Sequence, residues 1–319
     1  MSTTATASAG SRAPWLRDGA VLTVDSLHCA FKTSSGRVHA VRGVTFDVLP
    51  GETLGLVGES GCGKTTTGRA ILRLPPGQSG RVTFRDTDMA TYSKSEMRAA
   101  RRRLQMIFQD PLSAFNPRRR VVDIVGEGLE IQGVPASERA ERVEAALQQV
   151  GMSTQLVGSR RAHEFSGGQC QRISIARALA LGPDLIVCDE PVASLDVSVQ
   201  ARVLNVLQNI RERNDLSLVF VSHDLAVVKV MSDRVAVMYR GRIVEIGPAE
   251  SVYRMPSHPY TRRLLEAVPV IDESERALAP AEAHDYVSDW RTVDRALVEV
   301  ASGHFAALGA IVTDGETLP

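Results

Sequence analysis

One stretch constrains this chain more than any other. Gly58-Glu59-Ser60-Gly61-Cys62-Gly63-Lys64-Thr65 satisfies the pattern G-x-x-x-x-G-K-[ST], after the apolar run Thr53 to Val57 and ahead of a helical run from Lys64 to Leu74 that Pro75 and Pro76 stop. A strand, a glycine-rich turn and a helix in that order turn backbone N–H groups toward an anion, and the helix N-terminus adds about half a positive charge there. Lys64 is suited to bridge β- and γ-phosphates. The Thr65 hydroxyl is suited to ligate Mg²⁺, a small cation usually held by few protein groups plus phosphates and water. The expected nucleotide cradle is Gly58, Glu59, Ser60, Gly61, Cys62, Gly63, Lys64, Thr65 and Thr66.

Such a loop belongs in an α/β fold, and the rest of the chain agrees. From Asp184 onward strand-like and helical stretches alternate: Leu185 to Cys188, Val197 to Arg213, Ser217 to Val221, Leu225 to Met231 and Val235 to Tyr239. Alternation of this kind predicts a parallel sheet covered on both faces. Val21 to Val48 reads as an antiparallel β piece, a further strand is expected at Leu104 to Phe108, and a helical subdomain at about 121–180. Within that subdomain Val143, Ala146, Leu147 and Val150 share one helix face, with Ser137 as the expected N-cap. The expectation is an α/β fold of the P-loop NTPase class, with residues 1–20 a flexible leader, 21–247 the ATPase domain and 248–319 an appended C-terminal extension.

Two further motifs carry chemistry. Leu185-Ile186-Val187-Cys188-Asp189-Glu190 ends an apolar strand in two carboxylates, where open α/β sheets bind their ligands. Strand side chains alternate faces, so the two take different roles: Asp189 toward Mg²⁺, Glu190 as general base for an attacking water. Ser166-Gly167-Gly168-Gln169 has two readings. It is a capping box that starts a helix, and the same geometry offers a second anion site at a positive helix end.

Composition removes several classes. Lys+Arg 37 against Asp+Glu 37 leaves a formal net charge of +0, without the excess that holds a chain on phosphate backbones. No run approaches the roughly 18 to 20 apolar residues of a membrane helix. Met1 to Ala20 lacks the apolar core of a secretion signal. Cys29, Cys62, Cys170 and Cys188 form no C-x-x-C pair and read as reduced, buried thiols.

Phosphate loop, Ser-Gly-Gly-Gln and a strand ending Asp-Glu, in that order, resemble the ABC-type ATPases from about Val21 to Gly247. By that resemblance Gln109, in Ile107-Phe108-Gln109-Asp110-Pro111, is the Q-loop residue that senses Mg²⁺ and the attacking water. His223, in Val221-Ser222-His223-Asp224, is the switch histidine that contacts the γ-phosphate, and Leu195-Asp196 ends the D-loop. The implied catalytic set is Glu190, His223 and Gln109, and the implied metal set Thr65, Gln109 and Asp189. Phe31 matches the aromatic on which adenine stacks, with core packing as the alternative. In the family two such domains face head to tail, and ATP lies between the phosphate loop of one and Ser166, Gly167, Gly168 and Gln169 of the other. Phe165, Cys170 and the order Ala193-Ser194 depart from the commoner family residues.

Ser257-His258-Pro259-Tyr260-Thr261-Arg262-Arg263-Leu264-Leu265-Glu266-Ala267-Val268-Pro269 resembles the C-terminal signature of ATP-binding subunits of oligopeptide, dipeptide and nickel importers, and its Pro259 suits the first turn of a helix. The resemblance implies an ATP-hydrolysing subunit at the cytoplasmic face of a membrane importer for peptides or related solutes. Its implied ligands are ATP and Mg²⁺; its implied partners are a second ATPase chain, two membrane permease subunits and, through them, an extracytoplasmic substrate-binding protein, with no nucleic acid. Gly68 to Arg73 looks like the second chain of a heterodimeric pair. No cysteine follows Cys188, so the iron–sulfur cluster some members carry is not expected. The competing reading is a soluble ABC ATPase acting on nucleic acid or ribosomes; Gln109 to Ser166 leaves no room for the long coiled coil of the DNA-repair types, and the translation-factor types usually hold two ATPase domains in one chain. The basic runs Arg101 to Arg103 and Arg118 to Arg120 read as solvated faces, the second also as a docking point for a membrane subunit.

Overall fold

The computed structural model describes residues 13–34, 36–75, 77–267 and 295–308. Strands β1 (Leu22–Thr33) and β2 (Gly36–Val48) form the expected antiparallel piece, with Leu22 opposite Val48 and Thr33 opposite Gly36. β3 (Thr53–Val57), buried along its whole length, leads into the glycine-rich loop and α1 (Lys64–Ile71). The chain then returns as β4 (Gln78–Phe84) and β5 (Thr87–Asp88), completing a four-stranded sheet in the order β2-β1-β4-β5. β4 escaped the sequence reading because only Val82 and Phe84 of its seven residues are buried.

α2 (Lys94–Arg103), opened by a reciprocal capping box between Ser93 and Glu96, runs into β6 (Leu104–Ile107). The helical region holds α3 (Val121–Ile131), α4 (Ala136–Gln149), the short α5 (Thr154–Val157) and α6 (Gly167–Leu179). Val143, Ala146 and Leu147 are buried, as their spacing requires. The N-cap of α4 is Pro135, not Ser137, because the extended backbone of Pro135 (ψ 148°) already starts the helix two residues earlier and leaves Ser137 within its first turn.

β7 (Leu185–Asp189), α7 (Val197–Asn214), β8 (Ser217–Ser222), α8 (Leu225–Met231) and β9 (Arg234–Tyr239) alternate within a residue or so of the sequence reading. β10 (Arg242–Pro248) turns back antiparallel to β9, and α9 (Ala249–Arg254) and α10 (Pro259–Glu266) follow, the latter with Pro259 at its first turn. Past the gap in the described residues, β11 (Val298–Ala301) and β12 (His304–Ala306) close the edge of an eight-stranded sheet ordered β11-β12-β10-β9-β3-β8-β7-β6.

The expected boundary at 247 falls inside β10, and β12 pairs with it through Ile246 and Phe305. Residues 298–301 and 304–306 of the extension therefore add two strands to the central sheet, covering the outer edge of β10, which would otherwise present unpaired N–H and C=O groups. The remainder of the extension, 268–294 and 309–319, lies outside the described residues. Residues 13–20, expected within a flexible leader, are held in place; residues 1–12 lie outside the described residues. The Trp15 Nε1 donates to the Thr45 carbonyl at 3.0 Å, and its ring lies 5.6 Å from that of Phe305. Arg17 donates to Asp47 at 2.7 Å and to Glu52 at 2.5 Å, carboxylates that Arg234 also reaches. Asp47 is fully buried, so these guanidinium contacts are what make its burial tolerable.

A second buried carboxylate organises the C-terminal elements. Glu245 accepts the backbone N–H groups of Ser257 and His258 at 2.7 and 3.0 Å and faces His304 Nε2 at 2.7 Å. His258 accepts the N–H of Tyr260 on Nδ1. Burial pushes its imidazole down to about 4, with Arg262 and Arg295 assisting and Glu245 opposing. Between about 6.5 and 4 the unfolded chain therefore binds the extra proton, so this stability is whole above pH 6.5 and is lost as pH falls, by about 3 kcal/mol at the lower end. The melting temperature is expected to drop more steeply across that window in the parent than in His258→Asn, where the amide still caps α10. Equal slopes by calorimetry would contradict it.

Candidate functional site

The phosphate loop has glycine where nothing else fits. At Gly58 (φ +151°) an added Cβ would stand 2.1 Å from the Met238 carbonyl oxygen, and at Gly63 (φ +109°) 2.2 Å from that of Ala40. Backbone packs directly on backbone there, and both torsions lie where side-chain-bearing residues are strained. Gly63 is also the N-cap of α1, which has neither a capping side chain nor an acidic residue in its first turn. The free helix end is thus left for an anion.

Lys64, 4% exposed, curls back over the loop and donates from Nζ to the carbonyls of Gly58 at 2.6 Å and Glu59 at 2.9 Å. The Thr65 hydroxyl donates to Asp189 Oδ1 at 2.8 Å, linking the first turn of α1 to the last residue of β7. Burial raises the Asp189 carboxyl above the usual range; the Thr65 hydrogen bond and the charges of Arg69 and Lys64 oppose this, while Glu190 adds to it. A nearby cation would reverse that rise. Among the described residues no group of three His, Cys, Asp or Glu could cage a metal. A hydroxyl–carboxylate pair suits instead a cation that arrives with phosphates and water as its other ligands.

Glu190 follows the last residue of β7 with φ 47°, a left-handed turn anchored by its N–H on the Val221 carbonyl. That turn sends its side chain away from Asp189 and toward His223, whose Nδ1 lies 3.1 Å from Glu190 Oε2. Gln109 Nε2 donates to the same oxygen at 3.4 Å. The three expected catalytic side chains meet because β6, β7 and β8 are adjacent parallel strands, and each contributes a residue one or two positions past its carboxyl end.

Ser166 and Gln169 form the reciprocal capping box: the Ser166 N–H donates to Gln169 Oε1 at 2.9 Å, and the Gln169 N–H to Ser166 Oγ at 3.4 Å. Among the described residues no hydrogen bond joins Ser166, Gly167, Gly168 or Gln169 to the phosphate loop, and Ser166 is exposed. A Cβ on Gly168 would fall 2.1 Å from Val199 Cγ1, so this glycine also lets α6 pack against α7. Phe31 is 37% exposed near the turn of the β1–β2 hairpin, opposite Val38, which sets core packing aside. All four cysteines are buried and unpaired, and burial pushes the Cys188 thiol up to about 12. Sequence reasoning passed over one contact: the Tyr260 hydroxyl accepts the N–H of Glu59 inside the phosphate loop at 2.9 Å. Tyr260 stood in the recognised C-terminal signature, but nothing local tied that signature to residue 59.

A phosphate loop, a hydroxyl–carboxylate cation pair and a carboxylate poised with a histidine and an amide define a nucleoside-triphosphatase. The comparisons narrow the class. Residues 41–193 match the ABC transporter family, and residues 244–287 match the oligopeptide/dipeptide transporter C-terminal region. The chain is 44% identical over 292 residues to the oligopeptide transport ATP-binding protein OppF of Bacillus subtilis, spanning 89% of this chain and 95% of that protein. It is 52% identical over 235 residues to OppF of Escherichia coli K12, spanning 73% of this chain and 70% of that one. Among solved structures it matches cbiO1 from Clostridium perfringens, part of the ABC transporter complex cbiONQ, with TM-score 0.66 and 27% identity over 75% of this chain and 92% of that one. The chain belongs to the ABC transporter ATPases, in the branch of the oligopeptide/dipeptide ATP-binding subunits, and it binds and hydrolyses ATP.

Proposed function

We propose that this chain energises a membrane importer for peptides or related small solutes from the cytoplasmic face. The observation that carries the reading is the convergence of His223 and Gln109 on Oε2 of Glu190, next in the chain to the Asp189 that pairs with Thr65. Backbone N–H groups of the phosphate loop, those of Glu59 and Cys62 aside, and the Lys64 ammonium hold the β- and γ-phosphates, and Phe31 carries the adenine. Thr65 and Asp189, with Gln109, would hold Mg²⁺, which when bound neutralises phosphate charge. Glu190 takes the proton of the attacking water, His223 holds that carboxylate and meets the γ-phosphate, and Gln109 orients the water. The names of the relatives favour peptide import, and nothing in them favours nucleic acid or ribosomes. Among the described residues no helix is long and apolar enough to cross a membrane. In the proposed assembly separate permease chains form the path, served by an extracytoplasmic binding protein. Residues 21–247 with their helical subdomain at about 121–180 serve as the ATPase domain, on which the C-terminal extension is built.

ATP lies between two ATPase chains, its phosphates on one loop and on Ser166, Gly167, Gly168 and Gln169 of the other, of which Ser166 and Gly167 are exposed, and the second chain is a different one. Ser166→Arg then puts bulk and charge in the partner's ATP site while sparing this chain's own loop. Combined with a partner lacking its phosphate-loop lysine, it is expected to disable one composite site twice and leave the other working. Combined with Lys64→Ala in the same chain, it is expected to disable both. ATPase assays of the two assembled complexes check this; equal residual rates would contradict composite sites, and an active complex with this chain alone would contradict the heterodimer. Stimulation of the assembled importer by peptides and not by DNA tests the substrate class.

A further inference from the structure

We propose that Tyr260 is a positioning residue for Lys64, so that the C-terminal extension sets the nucleotide affinity of the phosphate loop. The peptide unit between Gly58 and Glu59 is held on both sides. Its N–H, on Glu59, donates to the Tyr260 hydroxyl at 2.9 Å, and its carbonyl, on Gly58, accepts from Lys64 Nζ at 2.6 Å. In a planar trans peptide these groups point in opposite directions, so holding the N–H aims the carbonyl. The backbone at Gly58 does not hold that plane by itself, since φ +151° lies in the broad freedom open only to glycine.

Tyr260 is itself rigidly placed. It is 1% exposed, its ring centroid lies 4.4 Å from that of Tyr239, and Glu245 secures the start of α10 through the N–H groups of Ser257 and His258. Lys64 has three N–H donors; two go to the carbonyls of Gly58 and Glu59, and the third lies by Cys62 Sγ at 3.9 Å, a weak acceptor that a phosphate oxygen displaces. The ammonium is thereby set in place before nucleotide arrives, and such preorganisation raises affinity. The inference rests on the phosphate loop as the nucleotide site.

The test uses the full chain, with trinitrophenyl-ATP as the binding probe and the assembled importer for turnover. Tyr260→Phe keeps the ring against Tyr239 and removes the hydroxyl. The dissociation constant and the KM for ATP are expected to rise about three- to tenfold, with kcat within twofold and the melting temperature within a few degrees. In a Lys64→Ala background the same substitution is expected to change nothing further, because the group it positions is gone. Tyr253→Phe, which removes a hydroxyl bonded to the Leu225 carbonyl in the same C-terminal region, is expected to leave nucleotide affinity unchanged. Unaltered affinity in Tyr260→Phe, or an equal loss with and without Lys64, overturns the proposal. Lys64→Ala binding as tightly as the parent overturns the nucleotide-site reading and the proposal with it; weak binding there beside an unchanged Tyr260→Phe overturns the proposal alone.

Discussion

Glu190→Gln is expected to lower ATP turnover by about a hundredfold or more while leaving ATP affinity close to that of the parent, as loss of a general base does. The amide keeps the size of the carboxylate and can still meet His223 and Gln109, which now lie 3.1 and 3.4 Å from Glu190 Oε2. It cannot take a proton from water. Thr65, Asp189 and Lys64 are untouched, so ATP still enters, and an ATP-bound dimer should accumulate. Phosphate release in a single turnover, read beside equilibrium binding and light scattering, separates the two effects; turnover within a few-fold of the parent would remove Glu190 from the role.

Gly63→Ala is expected to abolish measurable nucleotide binding and to lower the melting temperature by several degrees. Its Cβ would meet the Ala40 carbonyl oxygen at 2.2 Å and the Met238 methyl at 2.8 Å, in a backbone held at φ +109°. The carbonyl belongs to β2 and cannot rotate aside as a side chain could, so the loop must lift away from that sheet. Strained backbone alone costs about 1–3 kcal/mol, and the displaced helix start no longer aims its N–H groups at phosphate. Gly61→Ala is the comparison, because Gly61 has φ +81° but open space around its Cβ direction. It should show the smaller backbone effect and retain binding. Similar losses in the two variants would show that strain, and not the contact with β2, governs the loop.

The phosphate loop was legible because all its requirements are local: glycines, a lysine and a hydroxyl between one strand and one helix. The alternation from Leu185 to Tyr239 was equally plain, since each buried strand is a continuous apolar run and each helix is marked by its ends. Asp196 and Asp224, both accepting backbone N–H groups one turn on, show how directly those ends are written in the side chains. Where a segment is half exposed, as in β4, or where proline replaces a side-chain cap, as at Pro135, the local signal is too weak or points to a residue two positions on. Gln109, Glu190 and His223 were recognised as a set only through their resemblance to known ATPases.

The amino-acid sequence alone determined the class of site and the elements that frame it, because periodicity, capping and glycine torsions act over a few residues. Tertiary structure alone decided which distant groups meet. Gln109 and Glu190 stand 81 positions apart and come together through the order of β6, β7 and β8. Glu59 and Tyr260 are 201 apart and meet because the C-terminal elements fold back onto the sheet beside the loop. Trp15 reaches Phe305 for the same reason. Strand order and edge pairing depend on burying apolar faces and backbone groups across the whole chain at once, and no window of a few residues contains that information.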